Sequence, residues 1–250
     1  MTDKIETTAL IVGGTTGIGL ATATRFAING TAVAIAGRNV GRGKDAVRTL
    51  KASGAKAIYL ETDVQETTAL EALVTEVTAR WGRLDYAFNN AGWEGIPGRI
   101  EDAKESDWTR MIDIKLNGVW RGLRAQITQM RKQGHGAIVN MAGNWGLNGF
   151  PHYAAYCAAA HGIVGLTKAA ALEVAAANIR INAVCPGAVD SPMLDRMVDH
   201  STEAKQQFGK QLAIGRICTS KEVANLVVWL CSAEASYING SSLPLDGGGT

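Results

Sequence analysis

Four glycines, Gly13, Gly14, Gly17 and Gly19, crowd seven residues inside the stretch Thr8 to Gly30, TALIVGGTTGIGLATATRFAING. Glycines without Cβ atoms let backbone approach a charged group closely, and N–H groups at a helix start attract anions. The chemistry this spacing serves is phosphate binding, by the loop Gly13, Thr15, Thr16, Gly17, Ile18 and Gly19. The pattern is G-x-x-x-G-x-G rather than G-x-G-x-x-G, and a glycine loop alone is also compatible with a plain tight turn. Further along, Arg38 follows a second apolar run, Ala32–Ala36, with no acid at positions 37–39. At the end of a second strand a carboxylate would accept from a ribose 2′-hydroxyl, whereas a guanidinium holds a 2′-phosphate. Arg38 therefore favours NADP(H) over NAD(H). His152 is a candidate acid or base near neutral pH, and Asn144 a candidate amide donor to a substrate.

The elements that must position these groups follow from periodicity. Ala9–Val12 is a buried strand, and apolar spacing turns helical from Ile18 to Ile28, with Asn29-Gly30 as the stop. The pattern then predicts helix Val40–Ser53, strand Ala57–Leu60, helix Thr67–Trp81 and strand Leu84–Phe88 running into Asn89-Asn90-Ala91-Gly92. One long helix is expected from Ser106 to Lys132, strand Ala137–Met141, the loop Ala142–Tyr153 and an alanine-rich helix Ala154–Ala177. Strand Ile179–Cys185, a substrate-covering lid around 188–215 with one helix, helix Ser220–Cys231 and strand Ser242–Leu245 complete the chain. Strands alternating with helices predict an α/β fold, a single-domain Rossmann-like doubly wound parallel sheet of about seven strands with helices on both faces. Ligands in such sheets lie at the carboxyl ends of the strands. The glycine loop, Arg38, Asp63 and the NNAG turn all fall there.

Composition narrows the function classes. The chain has 250 residues, 46% hydrophobic and 19% charged, with net charge +2. Disorder is excluded at that apolar content, and no basic block marks a nucleic-acid or membrane surface. The polar start MTDKIETT lacks the apolar core of a signal peptide, and no apolar run is expected to reach membrane-spanning length. Cys157, Cys185, Cys218 and Cys231 have no metal-like spacing and read as reduced, buried thiols of a cytoplasmic protein.

The glycine loop, Asp63, NNAG, the helix bearing Tyr156, Pro186-Gly187 and Leu245-Asp246-Gly247-Gly248 together resemble the short-chain dehydrogenase/reductase family, over nearly the whole chain. The resemblance implies a bound NAD(P) and a homotetramer. It places Thr16, Ile18 and Gly19 near the pyrophosphate and Asp63-Val64 at the adenine. Asn90, Ala91 and Gly92 fall along the ribose, and Pro186, Gly187, Val189 and Ser191 beside the nicotinamide. The family's threonine before the first glycine is Val12 here.

The same resemblance exposes a departure. Family members use a serine to polarise a carbonyl, a tyrosine in Y-x-x-x-K to exchange a proton, that motif's lysine, and an asparagine on the preceding long helix. Tyr156 matches the tyrosine, but the other three positions hold Gly143, Ala160 and Lys115. Losing a positioned proton-transfer group costs on the order of 10²–10⁴ in rate, and losing one oxyanion donor on the order of 10²–10³. Such losses do not simply multiply. Three expectations stand for Lys115: its ammonium fills the space left by Ala160 and serves Tyr156, it points to solvent, or Asn117 and Lys115 have exchanged roles on the helix surface. His161 is expected to pack, and Trp93, Trp145 and Phe150 to wall a cavity for a small apolar substrate. Three functions remain open. They are an NADP-dependent oxidoreductase acting on an activated C=N or C=O, a non-redox cyclase, isomerase or lyase, and a catalytically silent cofactor-binding subunit.

Overall fold

The computed structural model describes residues 7–249, so part of the polar N-terminal stretch lies outside the described residues. The first half runs β1 (Thr8–Val12), α1 (Gly17–Ile28), β2 (Ala32–Gly37), α2 (Val40–Ala52), β3 (Ala57–Glu61), α3 (Ala69–Trp81) and β4 (Tyr86–Asn89). Next come α4 (Glu105–Met111), a π-turn (Ile112–Asn117), α5 (Gly118–Gln133), β5 (Gly136–Met141) and α6 (Ala154–Val174). The chain closes with β6 (Ile179–Pro186), β7 (Val189–Asp190), α7 (Pro192–Met197), α8 (Thr202–Gln211), β8 (Cys218–Thr219), α9 (Ser220–Cys231) and β9 (Ser242–Leu245). Seven strands form one parallel sheet in the order β3-β2-β1-β4-β5-β6-β9.

Each inner strand is buried on both faces, which explains its unbroken apolar run. Alternate residues feed two cores. Leu10, Val12, Ala34 and Ile138 pack with Leu73 and Val77 of α3, Leu123 of α5 and Ile163 of α6. Ala9, Ile11, Val33 and Ile35 pack with Phe26 of α1, Leu50 of α2 and Val223 and Val227 of α9. Between β1 and β4 the strand order reverses, opening the crevice at the sheet's carboxyl edge. A buried polar chain holds that edge: Asn89 Nδ2 donates to Gln126 Oε1 at 3.0 Å and Asn140 Oδ1 at 2.9 Å, and Asn140 Nδ2 donates to Thr167 Oγ1 at 3.0 Å.

Three expectations need correction. The helix 106–132 is continuous but interrupted by the π-turn, whose wider coil rotates the side chains that follow. The segment 188–215 holds two helices, α7 and α8, and β7 pairs with β8 in a small parallel ribbon. Residues 154–177 are long and apolar enough to cross a membrane, with a mean hydropathy of 1.2. In this fold Ile163, Val164, Thr167, Ala170, Ala171 and Val174 of that helix turn inward, so its apolarity serves the core.

Candidate active site

The glycine loop leaves β1 with Gly13 at φ +80° and Gly17 at φ +51°, conformations that strain side-chain-bearing residues. A Cβ on Gly19 would stand 2.0 Å from the Gly13 carbonyl oxygen, so only glycine lets the loop close on the start of α1. Thr16 caps α1 without a side-chain hydrogen bond, leaving the N–H groups of the first turn without that partner. Asn90 Nδ2 donates to the Gly13 carbonyl at 2.9 Å, so the NNAG turn braces the loop beside Ala91. Thr15 packs against Gly37 rather than reaching outward. Arg38 stands exposed at the end of β2 and faces Asp63, Nη1 to Oδ2 3.7 Å. Asp63 also accepts from the Gln65 N–H at 3.0 Å. A glycine loop that only residues without a Cβ can close, an uncapped helix start and a guanidinium at the end of β2 fit a nicotinamide dinucleotide.

Pro186-Gly187 and the segment 188–215 lie beside the glycine loop. Gly187 N–H donates to the Leu245 carbonyl at 3.2 Å, and Val189 pairs with Cys218 in the ribbon. Ser191 caps α7 by accepting from Leu194 N–H, and Pro192 beside it lies over Gly17. Met193 reaches toward Gly92. Arg196 of α7 holds Glu94, Nε to Oε1 2.5 Å and Nη2 to Oε2 2.8 Å. Burial pushes the Glu94 carboxyl up, but the Arg196 hydrogen bonds outweigh it and hold it below the usual range. Lys205 of α8 bridges Asp190 and Asp195.

Tyr156 sits in the first turns of α6. A Cβ on Gly143 would lie 3.1 Å from the Tyr156 hydroxyl, so the position that lacks a serine is beside that hydroxyl. Ala160 is fully buried, with the turn Asn144–Gly146 packed directly on it. Lys115 comes from the π-turn. Its side chain is buried, and its Nζ stands 4.2 Å from the centre of the Tyr156 ring. Among the described residues, Nζ makes no ion pair or hydrogen bond. The solvent-facing expectation for Lys115 therefore fails. Asn117 is occupied elsewhere, donating to Asp113 Oδ1 at 3.2 Å.

A cleft of about 650 Å³ opens beside Tyr156, lined among others by Glu94, Met111, Trp108, His152 and Tyr153. Its lining also includes Asp102, Glu105 and Asp107, with Lys104 among them. Trp145 and Phe150 do not line it. They stack with ring centres 4.3 Å apart, and Trp145 meets the Tyr156 ring edge-on at 5.1 Å, so they buttress the tyrosine. Trp93 is likewise not part of the lining, and Arg110 covers its face at 4.4 Å. Burial, and then the charge of Glu94, raise the Tyr153 phenol above its ordinary value, which keeps it protonated. His152 reaches the cleft with φ +68°, a conformation uncommon for residues other than glycine. Asn144 opens the turn over Ala160, and His161 lies on the exposed face of α6 with Nδ1 2.9 Å from the Cys157 carbonyl. Cys185 and Cys231 are buried as expected, whereas Cys157 and Cys218 are partly exposed.

Sequence reasoning missed Glu94, Arg196 and Trp108, which no motif flags, and the cluster around Asp113. Asp113 Oδ1 accepts from Arg121 Nη2 at 2.8 Å, while Arg121 Nη1 donates to the Val64 carbonyl at 2.9 Å.

Residues 12–250 match the family described as Enoyl-(Acyl carrier protein) reductase. Levodione reductase of Leifsonia aquatica is 36% identical over 255 residues, covering 99% of this chain and 94% of that protein. A variant of actinorhodin polyketide ketoreductase with NADPH superposes with a TM-score of 0.95 at 34% identity, covering 99% and 98% of the two chains. NAD+-bound xylitol dehydrogenase gives 0.92 at 31% identity, covering 99% and 100%.

Proposed function

This chain belongs to the short-chain dehydrogenase/reductase family, and from that premise we propose that it is an NADP-dependent reductase of an activated C=N or C=O, with Lys115 supplying the cation its Tyr156 lacks at position 160. The observation that carries this reading is the Nζ of the buried Lys115 lying 4.2 Å from the Tyr156 ring centre. The residues that would hold the cofactor are Gly13, Thr16, Gly17, Ile18 and Gly19 at the pyrophosphate, Asp63 and Val64 at the adenine, and Arg38 at the 2′-phosphate. When bound, the cofactor supplies a hydride.

The chain's own groups then divide two tasks. A carbonyl needs a proton as its oxygen gains charge, and Tyr156 donates it from the cleft wall. Lys115 lies against the ring that is left negative. An iminium carbon needs no such proton, because the C=N π pair ends on nitrogen as the hydride arrives. With Gly143 in place of a carbonyl polariser, the iminium is the less demanding substrate. The carboxylates of the lining favour the same choice, since acidic and aromatic side chains together attract organic cations. The apolar part of the lining, with Ile96, Met111 and Trp108, suits a small apolar body. The lid would be α7 with α8, and Arg196 ties α7 to Glu94. Exposed Trp120 on α5 and Leu172 on α6 support a homo-oligomer that covers them.

Titration with NADPH and NADH, followed by hydride transfer to cyclic iminium ions and ketones, tests the proposal. Tight NADPH binding and its consumption are expected. Lys115→Met should lower ketone reduction by on the order of 10²–10⁴ and displace its pH profile. No binding of either cofactor would overturn the reading. The Gly143 replacement favours a second reading, a non-redox enzyme on the same pocket, which product formation without NADPH consumption would identify.

A further inference from the structure

The π-turn that carries Lys115 is not held by its own backbone alone. Asp113, two residues before Lys115, has both carboxylate oxygens engaged. Oδ1 accepts from Arg121 Nη2 at 2.8 Å and from Asn117 Nδ2 at 3.2 Å, and Oδ2 accepts from Gln65 Nε2 at 3.3 Å. Burial raises the Asp113 carboxyl, but these donors outweigh it and hold it below the ordinary range, so it remains the charged acceptor. The other arm of the Arg121 fork, Nη1, donates to the Val64 carbonyl at 2.9 Å. The Arg121 side chain is only 14% exposed, so the fork is largely shielded from water. Val64 also packs against the start of α5, where a Cβ on Gly118 would stand 3.1 Å from it. One guanidinium thus ties the loop Asp63-Val64-Gln65 to the turn that aims Lys115.

We propose that Arg121 is a positioning residue that fixes the π-turn against the Val64 wall, and so sets where Lys115 meets the Tyr156 ring. This rests on the reading of Lys115 given above. The physical reason is geometric. A π-turn is a minority backbone form that persists where its surroundings hold it. A planar fork presents two nitrogens in a fixed geometry to two acceptors on two elements, whereas a lysine has one nitrogen on a flexible stem. Release of Asp113 lets the turn relax toward an ordinary helix and rotates Lys115 away from the ring. The same release frees the Val64 carbonyl, so both ends of the groove change together. A catalytic group displaced by about 1 Å loses on the order of 10² in rate.

The variants Arg121→Met, Arg121→Lys, Asp113→Asn and Lys115→Met, with Arg124→Gln as a control on the same helix, are compared on the full chain. Melting temperature establishes that each is folded. Three readouts follow: NADPH affinity by fluorescence titration, the NMR signal of a ring-labelled Tyr156 assigned with Tyr156→Phe, and the pH profile of ketone reduction. Arg121→Met and Asp113→Asn should move the Tyr156 signal in the direction that Lys115→Met moves it. They should also lower kcat by tenfold or more with a displaced pH profile, and Arg121→Met should weaken NADPH several-fold. Arg121→Lys should recover part of the loss, restoring one acceptor but not both. Arg124→Gln should leave all three unchanged. If Arg121→Met is unfolded, Asp113→Asn and Arg121→Lys decide the matter through the same signals. The proposal is overturned if folded Arg121 and Asp113 variants keep the parent Tyr156 signal and pH profile while Lys115→Met loses both. If Lys115→Met itself changes nothing, the reading of Lys115 falls, and this inference with it.

Discussion

Gly143→Ser puts back the residue type that the family uses next to the tyrosine, and the geometry predicts damage rather than restored activity. Gly143 has φ +89° and ψ 158°, a region of backbone space open essentially to glycine alone. Forcing another residue there costs about 1–3 kcal/mol. The new Cβ would also stand 3.1 Å from the Tyr156 hydroxyl, tighter than ordinary contact, and Trp145 at the ring edge restricts how far the tyrosine can retreat. For a chain of this size each kcal/mol lowers the melting temperature by about 2–4 °C, so a loss of roughly 2–12 °C is expected. Calorimetric melting of the variant, with Gly149→Ser as a control, measures it. Gly149 has open space around it and should tolerate serine within about 0.5 kcal/mol. A Gly143→Ser melting temperature equal to the parent's, or a gain in ketone reduction without loss of stability, would refute the argument. It would mean that the loop after β5 readily reverts to a serine-compatible path.

Other expectations follow from the same structure. Arg38→Ala should weaken NADPH about tenfold, the lower end of what hydrogen bonds to charged groups contribute, because Arg38 is 60% exposed. NADH affinity should not change, and an equal loss for both cofactors would sink the 2′-phosphate assignment. Asp85 lies under the opposite edge of the sheet, where burial raises its carboxyl, but hydrogen bonds from Arg83, His135 and the Thr8 N–H outweigh it and hold it low. Its folded pKa is below its unfolded value, so its stabilisation is complete above about pH 4 and fades as pH falls through the folded value. Urea unfolding of Asp85→Asn should therefore show a deficit at neutral pH that narrows in acid, and a deficit constant with pH would contradict this. Burial pushes the Cys185 and Cys231 thiols up to about 11 and about 12, so neither should be alkylated at neutral pH before global unfolding. Peptide mapping after iodoacetamide treatment reads this directly, and fast labelling of either would mean the core opens locally.

Much of the fold is legible in the chain because burial on both faces of a parallel sheet leaves unbroken apolar runs such as Ala9–Val12 and Ala32–Ala36. The glycine loop is legible for a related reason: Gly13 and Gly19 stand where neighbouring backbone leaves no room for a Cβ. The absence of serine and lysine at positions 143 and 160 is equally a property of the sequence. What replaced them is not. Helical periodicity cannot reveal a π-turn, and the contacts made there, Asp113 with Gln65, far away in sequence, and with Arg121, form only in the fold. Without the turn's rotation, the position of Lys115 on the long helix does not tell whether it meets Tyr156 or water. Trp145 and Phe150, expected as cavity wall, became a buttress only because the loop after β5 stacks them on each other and sets Trp145 against Tyr156. Residue type and spacing determined the glycine loop and the residues Gly143 and Ala160 beside Tyr156, because each is local. The partner of Tyr156 was decided only by tertiary packing, because it depends on side chains that meet across three separate elements.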